Sequence, residues 1–129
     1  MFVCTANSAR SQLAAALWRQ ASTVPATSAG TRPAARVAAG AVAVARRRGL
    51  RLTGTHPQAL ADVLHPEDCV VTVCDHAHEA LDRTDQARGP RLHWSVPDPV
   101  PAGTDTAFDR AYDELARRVT RFAPRLAAS

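Results

Sequence analysis

Short apolar runs alternate along the chain with longer stretches in which apolar residues recur every three or four positions. Residues 1–4 make a stub of a strand, followed by the polar run Thr5 to Ser8. From 10 to 21, Leu13, Ala14, Leu17 and Trp18 fall on one helical face. Residues 24–29 predict a strand ended by Gly30. Residues 34–48 predict a second helix, with Val37, Ala41, Val44 and Ala45 on one side and Gly49 as its stop. After a turn around Gly54 and a short helix over 57–64, Cys69-Val70-Val71-Thr72-Val73 is the clearest buried strand, and its end delivers Cys74. A short helix over 76–81, a strand over 91–94 and a Pro-rich loop over 95–103 come next. The last helix, 104–122, is capped by Thr104 or Asp105 and striped by Phe108, Ala111, Tyr112, Leu115 and Val119.

Strands alternating with helices predict a three-layer, doubly wound α/β fold with a four-stranded parallel sheet. Such sheets place their sites at the carboxyl ends of strands. The first strand has only three residues before Cys4, where a buried central strand usually has about five. This predicts a chain trimmed at its start, excised from a fusion or begun at an internal position.

At 129 residues the expectation is one domain spanning 1–129. Hydrophobic residues make up 46% of it, which argues against disorder, and no apolar run suits a membrane span. With no export signal visible, the expected place is the cytoplasm. The basic residues are 16 Arg and no Lys against 12 acids, a net +4, yet only Arg46, Arg47 and Arg48 form a run. That run lies where a helix C-terminus is expected and complements its dipole. Aromatics at 5% also argue against a single-strand stacking platform. The cysteines Cys4, Cys69 and Cys74 are too few for a four-ligand zinc site and odd in number. No metal or bound cofactor is expected, and reactive thiol chemistry stands against simple burial.

The segment Cys4-Thr5-Ala6-Asn7-Ser8-Ala9-Arg10-Ser11 joins strand to helix. Backbone amides of Thr5, Ala6, Asn7, Ser8, Ala9 and Arg10 wrapped around a helix N-terminus form an anion trap, and the same field stabilises a thiolate at Cys4. Arg10 closes the ring with a planar fork suited to two oxygens of a tetrahedral anion. Ser11 is placed to donate a hydrogen bond to the sulfur.

These residues resemble the low-molecular-weight protein tyrosine phosphatase superfamily, including its arsenate reductases. Thr27-Ser28-Ala29-Gly30-Thr31 matches the second-strand motif, Val71-Thr72-Val73-Cys74 the strand carrying the reductases' second Cys, and His93-Trp94 with Asp98-Pro99 their aromatic and acid loop. Among relatives, the chain looks most like actinobacterial reductase-like domains, some fused behind an arsenic-responsive repressor. Such a lost domain is the one route by which nucleic acid enters as a partner.

The resemblance implies that Cys4 attacks arsenate, that the 5–10 loop with Arg10 as clamp cradles it, and that Asp98 protonates the departing oxygen, shielded from water by Trp94. Reduction needs a further thiol, and Cys74 is the candidate. Cys69, at the other end of the same strand, reads as core packing and lies too far from Cys74 for a disulfide. Thioredoxin-coupled reductases carry a third Cys seven positions after the second, where this chain has Leu81. The expected electron source is therefore an external reductant of thioredoxin or mycothiol and mycoredoxin type, either opening a Cys4–Cys74 disulfide or attacking the arsenic adduct with Cys74 a bystander.

Further departures qualify the match. Ala6 and Ala9 stand where relatives often have Gly and Cys, which stiffens the loop. Ala15 matches an acidic potassium-binding position, so that ion is not expected. Asn7 is expected to organise the loop through its side chain. Two alternatives stay open. A phosphatase uses the same Cys4, Arg10 and Asp98, but Val100 replaces its usual aromatic residue, leaving Trp94 and Tyr112 as ring-packing candidates. A non-catalytic oxyanion or arsenic sensor would leave Arg10, Ser11 and Asp98 superfluous. His76 and His78 read as surface residues, and His56 begins a loop that relatives place near the anion.

Overall fold

The computed structural model describes residues 1–52 and 56–128. Its elements run β1 (Phe2–Cys4), α1 (Arg10–Ala21), β2 (Ser28–Gly30), α2 (Ala39–Arg47), α3 (Leu60–Val63), β3 (Val70–Thr72), α4 (Asp75–Asp82), β4 (Arg91–His93) and α5 (Asp105–Ala128). The turn expected around Gly54 falls outside the described residues. All strands are parallel, in the order β2-β1-β3-β4, with Val3 level with Ala29 on one side and Thr72 on the other. Every residue of β1, β2 and β3 is buried, as befits strands covered by helices on both faces. Helices α1, α2 and α5 pack on one another, α4 packs on β1 and β3, and α3 packs on β2. This is the doubly wound four-stranded sheet expected from the pattern. Among the described residues no helix is long and apolar enough to cross a membrane.

Several boundaries move, each for a visible reason. The expected strand over 24–29 shrinks to Ser28–Gly30 because the Val24 and Ala26 carbonyls accept from the side chains of Trp18 and Arg19 instead of pairing with a strand. Residues 34–38 are not helical. The amides of Thr31, Arg32, Ala34 and Ala38 donate to the carbonyls of Cys4, Thr5, Ala6 and Ser8, so this segment runs alongside the loop. Gly49, at φ +65°, stops α2 as expected. Residues 57–59 stay extended because Ala59 bridges Gly30 and the Gln58 carbonyl accepts from the Gly30 amide, which delays α3 to Leu60. Each strand has three residues, so the shortness of β1 bears in no way on where the chain begins.

At the N-terminal end of the sheet, Phe2 meets Trp18 at 6.0 Å and Trp94 at 5.7 Å, and Phe122 of α5 closes the cluster on both indoles. Cys69 does not belong to the buried core. It is part-exposed at this end, and its carbonyl accepts from the Met1 amine.

Candidate active site

Cys4 ends β1 and is 3% exposed. Its Sγ receives the Asn7 amide at 3.1 Å and lies 2.9 Å from Ser11 Oγ. Because Ser11 Oγ already accepts from Asn7 Nδ2 at 2.8 Å, its own proton is free to point at the sulfur. Both donors converge on the sulfur from the loop and the first turn of α1.

Asn7 is fully buried at φ 51°, and its side chain makes every bond it has to make. Nδ2 donates to Ser11 and Ser28 hydroxyls, while Oδ1 accepts from Gln12 Nε2 at 3.1 Å and from the Gln58 amide at 3.0 Å. This network fixes a left-handed residue that an L side chain adopts reluctantly. β2 closes on the loop from outside: a Cβ on Gly30 would sit 2.5 Å from the Thr5 carbonyl oxygen and 3.0 Å from the Asn7 nitrogen.

The carbonyls of Cys4, Thr5, Ala6 and Ser8 all face outward, toward the 31–38 segment. Among the described residues, no backbone carbonyl accepts from the amides of Ala6, Ser8 or Ala9. Helix α1 begins at Arg10 with no side-chain cap and no acidic residue in its first turn. Donors without protein partners, converging at a helix N-terminus, suit an oxyanion.

Arg10 donates from Nη1 to the Val96 carbonyl at 2.8 Å, and its Nη2 stands 3.6 Å from Asp98 Oδ2. Asp98 is thereby brought to the loop, half-exposed, while its Oδ1 accepts from the Val100 amide. Cys74 caps α4, with Sγ accepting from the Ala77 amide, and lies 3.3 Å from the Thr5 hydroxyl. The fold thus gathers Cys4, the 5–9 loop, Arg10, Ser11, Cys74 and Asp98 at one end of the sheet.

The profile of the family described as low molecular weight phosphotyrosine protein phosphatase matches residues 1–129. The chain belongs to this family. It is 32% identical over 126 residues to an arsenate reductase of Brevibacillus brevis, covering 95% of this chain and 91% of that protein. The crystal structure of an arsenate reductase from Archaeoglobus fulgidus superposes with TM-score 0.78 at 27% identity, covering 95% of this chain and 97% of that one. The tyrosine phosphatase Wzb from Escherichia coli K30, in complex with sulphate, superposes with TM-score 0.83 at 26% identity, covering 97% and 95%.

On this phosphatase-family scaffold, other expected residues lie elsewhere. Trp94 does not shield Asp98; its ring turns back onto Phe2 and Phe122 in the core. Tyr112 sits under the Arg48 guanidinium, 4.5 Å from it, at the C-terminal end of α2, whereas the loop meets that helix's N-terminal side. His56 and His76 are exposed, and His78 stacks on His93 with centroids 4.4 Å apart. Sequence reasoning passed over Gln12 and Gln58, which complete the bonding of Asn7. The one available signal was Gln12 itself, a polar residue among the apolar positions of α1.

Proposed function

We propose that this protein reduces arsenate to arsenite, with Cys4 as nucleophile and an external thiol as electron source. The observation that carries the proposal is the second buried sulfur beside the anion loop: Cys74 Sγ stands 3.3 Å from the hydroxyl of the residue that follows Cys4. Relatives over nearly the whole chain, named arsenate reductase, support it, as do the sulphate-bound Wzb and its shared fold for seating a tetrahedral anion.

Arsenate enters the ring of loop amides, with the remaining donors of Arg10 on its oxygens. Attack by Cys4 Sγ forms an S–As bond and breaks an As–O bond, and Asp98 supplies the proton with which that oxygen leaves as water. The Cys74 thiolate then attacks Cys4 Sγ. An S–S bond forms, the S–As electron pair stays on arsenic, and arsenic leaves as arsenite in the +3 state. Ser11 and the Asn7 amide steady the Cys4 sulfur in both steps. Two electrons have left the two thiols, and disulfide exchange with a thioredoxin-type protein or a small thiol of the mycothiol kind returns them. An internal relay has no thiol to use at position 81, where Leu81 is buried. The setting we propose is the cytoplasm, where such reductants operate, with 1–129 acting as one reductase domain.

Phosphoester hydrolysis shares the first step, but neither Trp94 nor Tyr112 stands at the loop to pack a phosphotyrosine ring. The deciding measurement compares thiol-dependent arsenite formation with turnover of a phosphotyrosine peptide. Arsenite formation is expected to dominate, and to fall about a thousandfold or more in Cys4→Ser. Cys74→Ser should lose the Cys4–Cys74 disulfide seen by mass spectrometry and most turnover with a thioredoxin system. Peptide turnover without arsenite formation sinks the reductase reading, and full activity of Cys74→Ser with a small thiol alone removes Cys74 from the mechanism.

A further inference from the structure

The first turn of α4 carries a carboxylate that this mechanism leaves idle. Asp75 follows Cys74 directly, its side chain is 68% exposed, and its Oδ1 lies 2.8 Å from His93 Nε2. His93 closes β4. Its Nδ1 stands 2.7 Å from the hydroxyl of fully buried Thr72 on β3, and its ring is stacked on His78 of α4. With both ring nitrogens bonded and one face covered, the imidazole has little freedom, and Asp75 fastens it to α4. Hydrogen bonding from His93, and secondarily from Ser95, holds the Asp75 carboxyl below its ordinary range.

His93 is also the root of the segment that leads to Asp98. Arg10 grips the far part of this segment, through the Val96 carbonyl and the Asp98 carboxylate. The connection from β4 to Asp98 is therefore held on α1 at its tip and on α4 at its base, with Trp94 between them buried against Phe2 and Phe122 and its amide donating to the Thr72 carbonyl. Pro97 and Pro99 stiffen the span on either side of Asp98.

We propose that Asp75 is a positioning residue for the proton donor: by holding His93 it fixes the root of the 94–98 segment, and so the place at which Asp98 meets the departing oxygen. The proposal rests on the reading of Asp98 as proton donor. Asp75 makes no hydrogen bond to Arg10 or the loop amides, and the Arg10 charge is the weakest of the influences on it, so Asp75 acts mainly on the rate of the chemical step and little on the seating of the anion.

The test uses initial rates of arsenite formation with arsenate varied and saturating dithiothreitol as the probe thiol. Hydrolysis of phenyl phosphate, whose poor leaving group needs the same proton, runs in parallel without reductant. Asp75→Ala is expected to lower kcat about tenfold with KM changed less than about threefold. Asp75→Asn keeps an oxygen that accepts from His93 and should restore most of the loss. His93→Ala should lose no more than Asp75→Ala, whose carboxylate also bonds Ser95, and the double variant should be no slower than Asp75→Ala, because both act through the same anchor. Full kcat in Asp75→Ala, no rescue by Asn, or additive losses in the double variant each overturn the proposal. Asp98→Asn, measured in the same series, separates the failures. If it alone keeps full rate, the proton-donor reading falls. If it is slow while Asp75→Ala is not, only the anchor falls.

Discussion

The two ends of the sheet are held together by different forces. At the carboxyl end, Cys4, Asn7, Ser11, Ser28, Gln12 and Gln58 form a network of hydrogen bonds of 2.8 to 3.1 Å centred on Asn7. At the amino end, Phe2, Trp18, Trp94 and Phe122 meet edge and face at 5.6 to 6.0 Å. Hydrogen bonds are directional, and a misaligned one in a buried site leaves a polar group unsatisfied. Aromatic packing tolerates rotation and small shifts at modest cost. The protein therefore places geometric exactness where a sulfur and an anion must meet, and bulk where only stability is required. Substitution at the first end should cost catalysis more than stability, and at the second end stability more than catalysis.

The strongest break in that comparison is Gly30→Ala. Its methyl group would meet the Thr5 backbone carbonyl at 2.5 Å, which no flexible side chain can relieve, so the loop must shift. A displacement of about 1 Å in the cradle costs on the order of a hundredfold in turnover, while overpacking of this kind costs about 1–3 kcal/mol of stability. Arsenite formation and urea unfolding on the same sample check both halves, and a variant that is merely less stable at full turnover would contradict the division. Next in size is Phe122→Ala, which removes a half-buried ring from both indoles. A loss of about 2–3 kcal/mol is expected, with kcat and KM within twofold of the parent at a temperature where both are folded. A tenfold fall in kcat there would show that the amino end is coupled to the chemistry after all.

How much of this was legible before the fold was known follows the same division. Cys4, Arg10 and Ser11 could be read because their spacing is local: strand stub, loop and helix start are consecutive, and α1 has the bounds its apolar period predicts. Their supports could not be read, since Ser28, Gln58 and the Asp75–His93 pair come from segments brought alongside only by the β2-β1-β3-β4 order. Trp94 misled because it lies in sequence among residues that serve the site, while its ring turns to the opposite end of the sheet. Residues 34–38 read as helix because helical patterning does not register loop carbonyls waiting for their amides. Cys69 read as core because burial is the usual fate of a strand cysteine, and at the strand's outer end it is only part-covered.

The smallest effect sharpens the comparison from the outside of α5. Glu114 is held below the usual carboxylate range by hydrogen bonds from Arg117 first and then from Arg118, on the turn below the aromatic cluster. Because its pKa is lower in the folded chain, the ionised form favours folding. That contribution is complete above the ordinary carboxylate range and is lost as the pH falls through the lowered value. Both arginines lie on the same helix, and the groups are partly exposed to solvent, so the gain stays under about 1 kcal/mol and shrinks with added salt. Glu114→Gln should therefore be slightly less stable than the parent at pH 7 and equal to it once the carboxylate is protonated, with arsenite formation unaltered throughout. A larger gap at pH 7, or one that survives acidification, would mean that charge rather than ring packing secures the amino end.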